Sequence, residues 1–263
     1  MSDRTELWLA LLQQLTADFP RWAVWKNIES ALHGHGDVDS LADPADWNAI
    51  ETAFRAWAHS HDLRPIIVCR HIPQGPHFLT LERQSPYLIQ LDVKTRATLR
   101  GATLLDVARI LPLAFIDEHG VRRIRPGAEG VIKLLENGML HGGGCDMAAL
   151  DVKRVRPLLE CDPEGAELAT MLAGAAAPAL KRGIAAVKLG EWDVRAMRAV
   201  EIRFLMRAMQ EPRNALSRLR FQRRTRRGAC PVITTIRQHD RCLPDDTSEW
   251  LAEVRKTHQV DFR

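Results

Sequence analysis

The strongest indication of the fold comes from His33-Gly34-His35-Gly36-Asp37-Val38-Asp39-Ser40. Alternate side chains of a β-strand point to the same face, so a strand through Asp37 and Asp39 would aim both carboxylates at one point. Two carboxylates in that arrangement suit a divalent cation, because hard cations prefer carboxylate oxygens as ligands. The glycines just before them allow a sharp turn and a close approach of a bulky group. Aspartate is also common in turns and at helix N-caps, so the acidic pair needs support from the rest of the chain.

The residues on either side of this stretch predict alternating helices and strands. A helical apolar pattern covers residues 5–18, and a short apolar run of strand length follows at residues 22–26. After the acidic pair, Asp43 and Pro44 are typical of a helix N-cap and first turn. The helix that they begin carries its apolar side chains on one face, so we expect it to lie across a sheet.

Three further runs predict strands, at residues 65–70, 78–82 and 87–94. In the last run Gln90, Asp92 and Lys94 alternate with apolar residues and therefore share one face. Aspartate is depleted in strands, and such conflicts with local propensity concentrate at functional sites. Alternatively, this face is simply the solvated side of an antiparallel sheet.

The order of these elements carries a family resemblance. A strand, a turn with glycine, Asp-x-Asp on a second strand, a helix and further strands with a single aspartate extend over residues 22–93. This order resembles the DNA polymerase beta-like nucleotidyltransferase superfamily. The resemblance implies an α+β fold with a mixed sheet and flanking helices at residues 1–103, followed by a mainly helical domain at residues 104–263.

The resemblance also implies an activity, namely transfer of a nucleoside monophosphate from a nucleoside triphosphate such as ATP. The acceptor stays open between a small molecule, an RNA end and a protein hydroxyl. By the same resemblance Asp37, Asp39 and Asp92 bind two magnesium ions, or manganese in their place. Two ions about 3.5–4 Å apart stabilise both the attacking and the leaving oxygen. We therefore expect the three carboxylates to converge within a few ångströms.

Within that scheme each aspartate has a role. Asp37 and Asp39 hold the ion that carries the triphosphate, whereas Asp39 and Asp92 hold the second ion. Asp92 also accepts or steers the proton of the incoming hydroxyl. Asp92→Asn is then expected to abolish turnover and to leave triphosphate binding largely intact.

The chain departs from the superfamily in its phosphate-binding motif. A Gly-Ser pair at a helix N-terminus usually follows the first strand and holds the phosphates, but residues 26–30 contain none. The candidate phosphate contacts are instead Lys26, Ser30, Gly34, Gly36, Ser40 and Lys133. Some relatives in the superfamily are inactive, which leaves a second function open.

That second function is a catalytically degenerate module that binds nucleic acid or a partner protein through an arginine-rich segment. Residues 213–227 contain seven arginines, and clustered arginine binds phosphate bidentately. The candidate contacts are Arg218, Arg220, Arg223, Arg224, Arg226 and Arg227. A solvated basic helix end is the simpler interpretation. A tRNA-modifying toxin or antitoxin would use both features.

Composition narrows the class of protein further. The 263 residues are 46% hydrophobic and 27% charged, with a net charge of +4, as in an ordinary globular protein. Five cysteines without a C-x-x-C pair, and no signal peptide, favour the cytoplasm. No apolar run is long enough to predict a membrane span. Neither a P-loop nor a G-x-S-x-G motif occurs, which argues against those ATPase and hydrolase classes.

Overall fold

The structure is a computed structural model that describes residues 3–34, 36–70, 74–82, 88–145, 152–213, 216–217 and 219–220. It divides into two compact units. Residues 3–22 and 27–95 form most of the first unit, and residues 23–26 and 96–216 form the second. The acidic stretch belongs to the first unit.

The first unit combines helices with a mixed sheet. Its elements are α1 (Asp3–Asp18), α2 (Ile28–Leu32), β2 (Val38–Leu41), α3 (Trp47–Ser60), β3 (Ile67–Cys69), β4 (His77–Leu81) and β5 (Leu88–Lys94). The strands lie in the order β3-β4-β5-β2. The pair β2–β5 is parallel, whereas β3–β4 and β4–β5 are antiparallel. The predicted combination of a mixed sheet with flanking helices is therefore confirmed.

Aromatic packing joins the helices of this unit to its sheet. Trp8 of α1 stacks on Trp57 of α3 with ring centroids 6.3 Å apart, and Phe54 of α3 stacks on Phe78 of β4 at 5.4 Å. The indole Nε1 of Trp57 donates to the carbonyl oxygen of Leu7 at 3.1 Å. Each of these rings is buried, and burying one large apolar side chain contributes about 1.5–3 kcal/mol. The predicted position of α3 against the sheet is confirmed.

The second unit contains both strands and helices. It comprises β1 (Ala23–Lys26), β6 (Arg96–Leu99), β7 (Ala102–Asp106), α4 (Val107–Ile110), β8 (Ala114–Ile116), β9 (Arg122–Ile124), α5 (Pro126–Lys133), α6 (Val152–Cys161), α7 (Pro163–Leu172), α8 (Ala177–Lys188) and α9 (Val194–Gln210). Strand β9 pairs in parallel with β1 and antiparallel with β8, and β6 and β7 form a hairpin. A five-residue π-helical segment, Leu134–Gly138, continues α5.

Ionic contacts fix the start of α5 to α7. The Arg125 guanidinium donates to both carboxylate oxygens of Asp162, at 3.2 and 2.6 Å. The same carboxylate accepts from the backbone N–H of Gly127 and caps α7 through the N–H of Gly165. These bonds hold the pKa of Asp162 below its ordinary value, against the opposing effect of burial. One carboxylate thus links two helices.

Among the described residues, no helix is both long and apolar enough to cross a membrane. The cysteines in that part of the chain, Cys69, Cys145 and Cys161, are thiols outside any disulfide.

Candidate metal centre

The parallel pairing of β2 and β5 positions two of the three aspartates. In this register Asp39 lies directly opposite Asp92. Side chains at matched positions of neighbouring strands point to the same face. Both residues are buried, with exposed fractions of 1% and 3%. The face that carries Asp92 is therefore not the solvated side of an antiparallel sheet, and that interpretation is wrong.

Asp37 completes the cluster from the residue just before β2. It lies two residues before Asp39 and is half-buried. One oxygen from each of the three carboxylates lies within 4.8 Å of the others. The predicted convergence is confirmed.

Two glycines with a left-handed backbone conformation precede β2. Gly34 and Gly36 adopt φ values of 83° and 80°, in the left-handed region that glycine occupies without steric cost. Both glycines lie between α2 and the strand that carries Asp39. These two glycines thus allow the backbone turn that leads into the Asp-x-Asp pair.

Asn27 ties the two acids of the Asp-x-Asp pair together. Its amide Nδ2 lies 3.3 Å from Asp37 Oδ1 and 3.2 Å from Asp39 Oδ2. Asn27 has a φ of 69°, and asparagine tolerates this left-handed conformation better than most residues. The side chain therefore holds both carboxylates from the turn that precedes α2.

The third acid has its own set of partners on the sheet. Gln90 Nε2 donates to Asp92 Oδ1 at 2.8 Å, and His77 Nδ1 contacts the same oxygen from the neighbouring strand β4. Burial alone would raise the pKa of Asp92. The hydrogen bond from His77, the charges of His77 and Lys94 and the bond from Gln90 outweigh it and hold the pKa well below its ordinary value. Asp92 is therefore ionised at neutral pH.

Lys94 joins Asp92 to Asp39. Its Nζ lies 2.8 Å from Asp39 Oδ1 and 3.2 Å from Asp92 Oδ2. The lysine side chain is only 21% exposed. Two of the three carboxylates consequently share one ammonium group.

Four of the predicted phosphate contacts, Ser30, Gly34, Gly36 and Ser40, belong to the first unit. Ser40 donates its hydroxyl to the backbone carbonyl of Asp92 at 2.8 Å and thus links β2 to β5. Ser30 is half-buried in α2, and Gly36 is exposed. A Cβ added at Gly34 would lie 3.1 Å from Nη1 of Arg4. The phosphate role of these residues stays a prediction.

The two lysines of that set belong to the second unit. Lys26 Nζ lies 3.2 Å from Glu136, and Lys133 Nζ lies 2.7 Å from Glu129. Each is less than one-fifth exposed and has a carboxylate partner within its own unit.

The arginine-rich segment falls mostly outside the described residues. Arg220 is described and exposed. The other predicted contacts, Arg218, Arg223, Arg224, Arg226 and Arg227, lie outside the described part of the chain. Their proposed role stays a prediction.

Comparison of the chain with protein-family models, with curated proteins and with solved structures finds no match. The chemistry of the site is therefore inferred from its own carboxylate groups. Three carboxylates with oxygens within 4.8 Å of one another fit a hard cation such as Mg²⁺ or Mn²⁺.

Sequence reasoning found the three acids but not their polar neighbours. Gln90 and Lys94 had a visible signal, because they alternate with Asp92 on one face of β5. His77 and Asn27 had none, since their contacts depend on strand pairing and on a left-handed turn.

Proposed function

We propose that this chain is a magnesium-dependent nucleotidyltransferase of the DNA polymerase beta-like type. The observation that carries the proposal is the convergence of Asp37, Asp39 and Asp92 across the parallel pair β2–β5. The element order supports it as well, since a strand, a turn, a short helix, the acidic strand and a long helix precede the strand with the third acid.

The reaction joins an acceptor hydroxyl to the α-phosphorus of a nucleoside triphosphate. The bond between that phosphorus and the oxygen bridging to the β-phosphate breaks, and pyrophosphate leaves with the bonding electrons. The hydroxyl proton passes to water. A bound Mg²⁺ neutralises charge on the phosphates and on the leaving oxygen.

The residues of the chain would share this work. Asp37 and Asp39, held by Asn27, bind the cation that orients the triphosphate. Asp92 lies on the adjacent strand and orients the acceptor hydroxyl. Its two oxygens are already engaged by His77, Gln90 and Lys94, so it positions the hydroxyl rather than storing its proton.

The test is label transfer from each of the four α-labelled ribonucleoside triphosphates with Mg²⁺, alone and with cell extract. A labelled small molecule, RNA or protein would identify the acceptor class. The product is expected to disappear with Asp37→Ala and with Asp92→Asn. Glu118→Gln is the matched control, because that carboxylate is 87% exposed and lies outside the cluster.

Two results would overturn the proposal. One is a full rate of transfer in Asp92→Asn. The other is a lack of label transfer and of pyrophosphate release with every nucleotide, both alone and with extract.

A further inference from the structure

Lys94 lies between two of the three carboxylates. A second ion of a two-metal centre would bridge Asp39 and Asp92, with an oxygen of each at about 2.0–2.1 Å. The Lys94 ammonium instead lies between those carboxylates, at 2.8 and 3.2 Å. These are the distances of charge-assisted hydrogen bonds, so the position already contains a cation.

The backbone holds Lys94 in place on both sides. Its carbonyl oxygen accepts from the N–H of Ala42 at 2.9 Å, and the N–H of the next residue, Thr95, donates to Gln74 at 2.7 Å. The preceding N–H, of Val93, donates to the carbonyl oxygen of Pro76 at 3.0 Å. Lys94 thus extends from a fixed strand and not from a surface loop.

A second divalent ion at this position would meet strong repulsion. A charge of +1 and a charge of +2 held side by side in a partly buried site repel strongly, because the surroundings screen them less than water does. The Asp37, Asp39 and Asp92 carboxylates carry three negative charges, and Lys94 cancels one of them. The charge of His77 also acts on Asp92, so the negative charge that remains is no more than a single divalent ion balances.

We propose that Lys94 takes the place of the second metal ion, so that the centre binds one divalent cation. The inference rests on the proposed function, because it assumes that the aspartates bind metal. The cation is held on the Asp37–Asp39 side, next to the triphosphate. Lys94 acts as a positioning residue, because its ammonium fixes the Asp39 and Asp92 carboxylates and supplies positive charge beside the acceptor hydroxyl.

The experiment measures how many Mn²⁺ ions the full chain binds, with Mn²⁺ alone as the probe. Free Mn²⁺ is quantified by electron paramagnetic resonance during titration to saturation. We expect one ion per chain in the wild type and two in Lys94→Met. The spectrum of that variant is expected to show the coupling of two neighbouring Mn²⁺ ions, which a merely structural role of Lys94 would not produce.

Three further variants sharpen the result. Lys94→Gln removes the charge but keeps hydrogen-bond donors, so it is also expected to bind two ions and serves if Lys94→Met does not fold. Lys94→Arg keeps the charge and is expected to bind one. Lys181→Met removes an exposed, paired lysine that lies in the other unit and is likewise expected to leave one.

Two ions in the wild type would overturn the inference. One ion in a folded Lys94→Met or Lys94→Gln chain would also overturn it, while the metal site of the proposed function would stand. If neither the wild type nor any Lys94 variant binds Mn²⁺, the metal site itself is refuted, and the proposed function falls with it.

Discussion

Replacing Asp37 by asparagine is expected to stabilise the fold when no metal is bound. The Asp37 carboxylate lies within 4.8 Å of those of Asp39 and Asp92. Lys94 contacts the latter two and the charge of His77 also acts on Asp92, so Asp37 faces at most about one uncompensated negative charge. Asparagine has the same shape and keeps the acceptor oxygen that Asn27 contacts.

The size of the effect follows from the separation of the charges. Two like charges 4.8 Å apart repel by about 0.9 kcal/mol in water and about 3.5 kcal/mol at an effective dielectric constant of 20. Asp37 is half-buried, and solvent screens it more than its buried neighbours. We therefore expect Asp37→Asn to raise the free energy of unfolding by about 1 kcal/mol in EDTA, near the aqueous limit.

The assay is urea unfolding followed by circular dichroism, in EDTA and in saturating Mg²⁺ or Mn²⁺. A cation that binds only the folded state stabilises it by mass action, so the wild type is expected to gain stability with metal. Asp37→Asn is expected to gain little stability with metal. The variant should therefore be the more stable protein in EDTA and the wild type the more stable protein in saturating metal. Glu118→Gln removes an exposed charge outside the cluster and is expected to follow the wild type in both conditions.

The repulsion among the carboxylates and the binding of metal by Asp37 can be refuted separately. A loss of stability in EDTA, with an unchanged spectrum of the folded state, would show that the three carboxylates do not repel as calculated. An equal gain with metal in the wild type and in Asp37→Asn would show that Asp37 is not a ligand.

Three further predictions concern the described structure around the site and in the second unit. Asp162→Ala is expected to cost about 2 kcal/mol, because it removes an N-cap and a charged partner of Arg125. The pKa of Asp162 is depressed in the folded state. Its contribution to the free energy of unfolding should therefore be fully present above the ordinary pKa of 3.8 and be lost as the pH falls through the folded pKa. Urea unfolding at several pH values measures this loss. Gly75→Ala is expected to lower the free energy of unfolding by at least about 1 kcal/mol and to weaken Mn²⁺ binding, because the added Cβ would lie 2.0 Å from the backbone oxygen of Val93. An unchanged free energy of unfolding would contradict this. Burial, followed by the charge of Asp92, raises the pKa of Cys69 to about 12, so peptide mass spectrometry should find this thiol unalkylated by iodoacetamide at neutral pH unless urea is added.

The strands of the first unit were predictable because each has a clear pattern of alternation or an apolar run. The predicted strand at residues 87–94 corresponds to β5, and the run at residues 65–70 to the shorter β3. The segment from residue 104 onward was predicted to be mainly helical, and the strand β7 at Ala102–Asp106 was missed. Strands β8 and β9 were also missed, since a run of three residues is too short to show a period of two.

The acids of the site were predictable for a different reason than their neighbours. Spacing by two residues on a strand fixes a shared face, and that alone relates Asp37 to Asp39. The relation of Asp39 to Asp92 came from a family resemblance, and the parallel register supplies its physical basis. His77 reaches Asp92 only because β4 pairs with β5, and the sequence does not contain that pairing in any local pattern.

The same register links the third acid to its lysine. Asp92 faces Asp39 only when β5 is aligned with β2 as observed, and a slip of one residue would turn both Asp92 and Lys94 to the opposite face of the sheet. Because Lys94 follows Asp92 by two residues, any register that brings the acid to the cluster also brings the lysine to that face. The ammonium group is thus a built-in consequence of where the third acid lies on its strand. A second metal ion would require the Lys94 side chain to turn away from two carboxylates that it already contacts, and the Mn²⁺ count of the wild type measures whether it does.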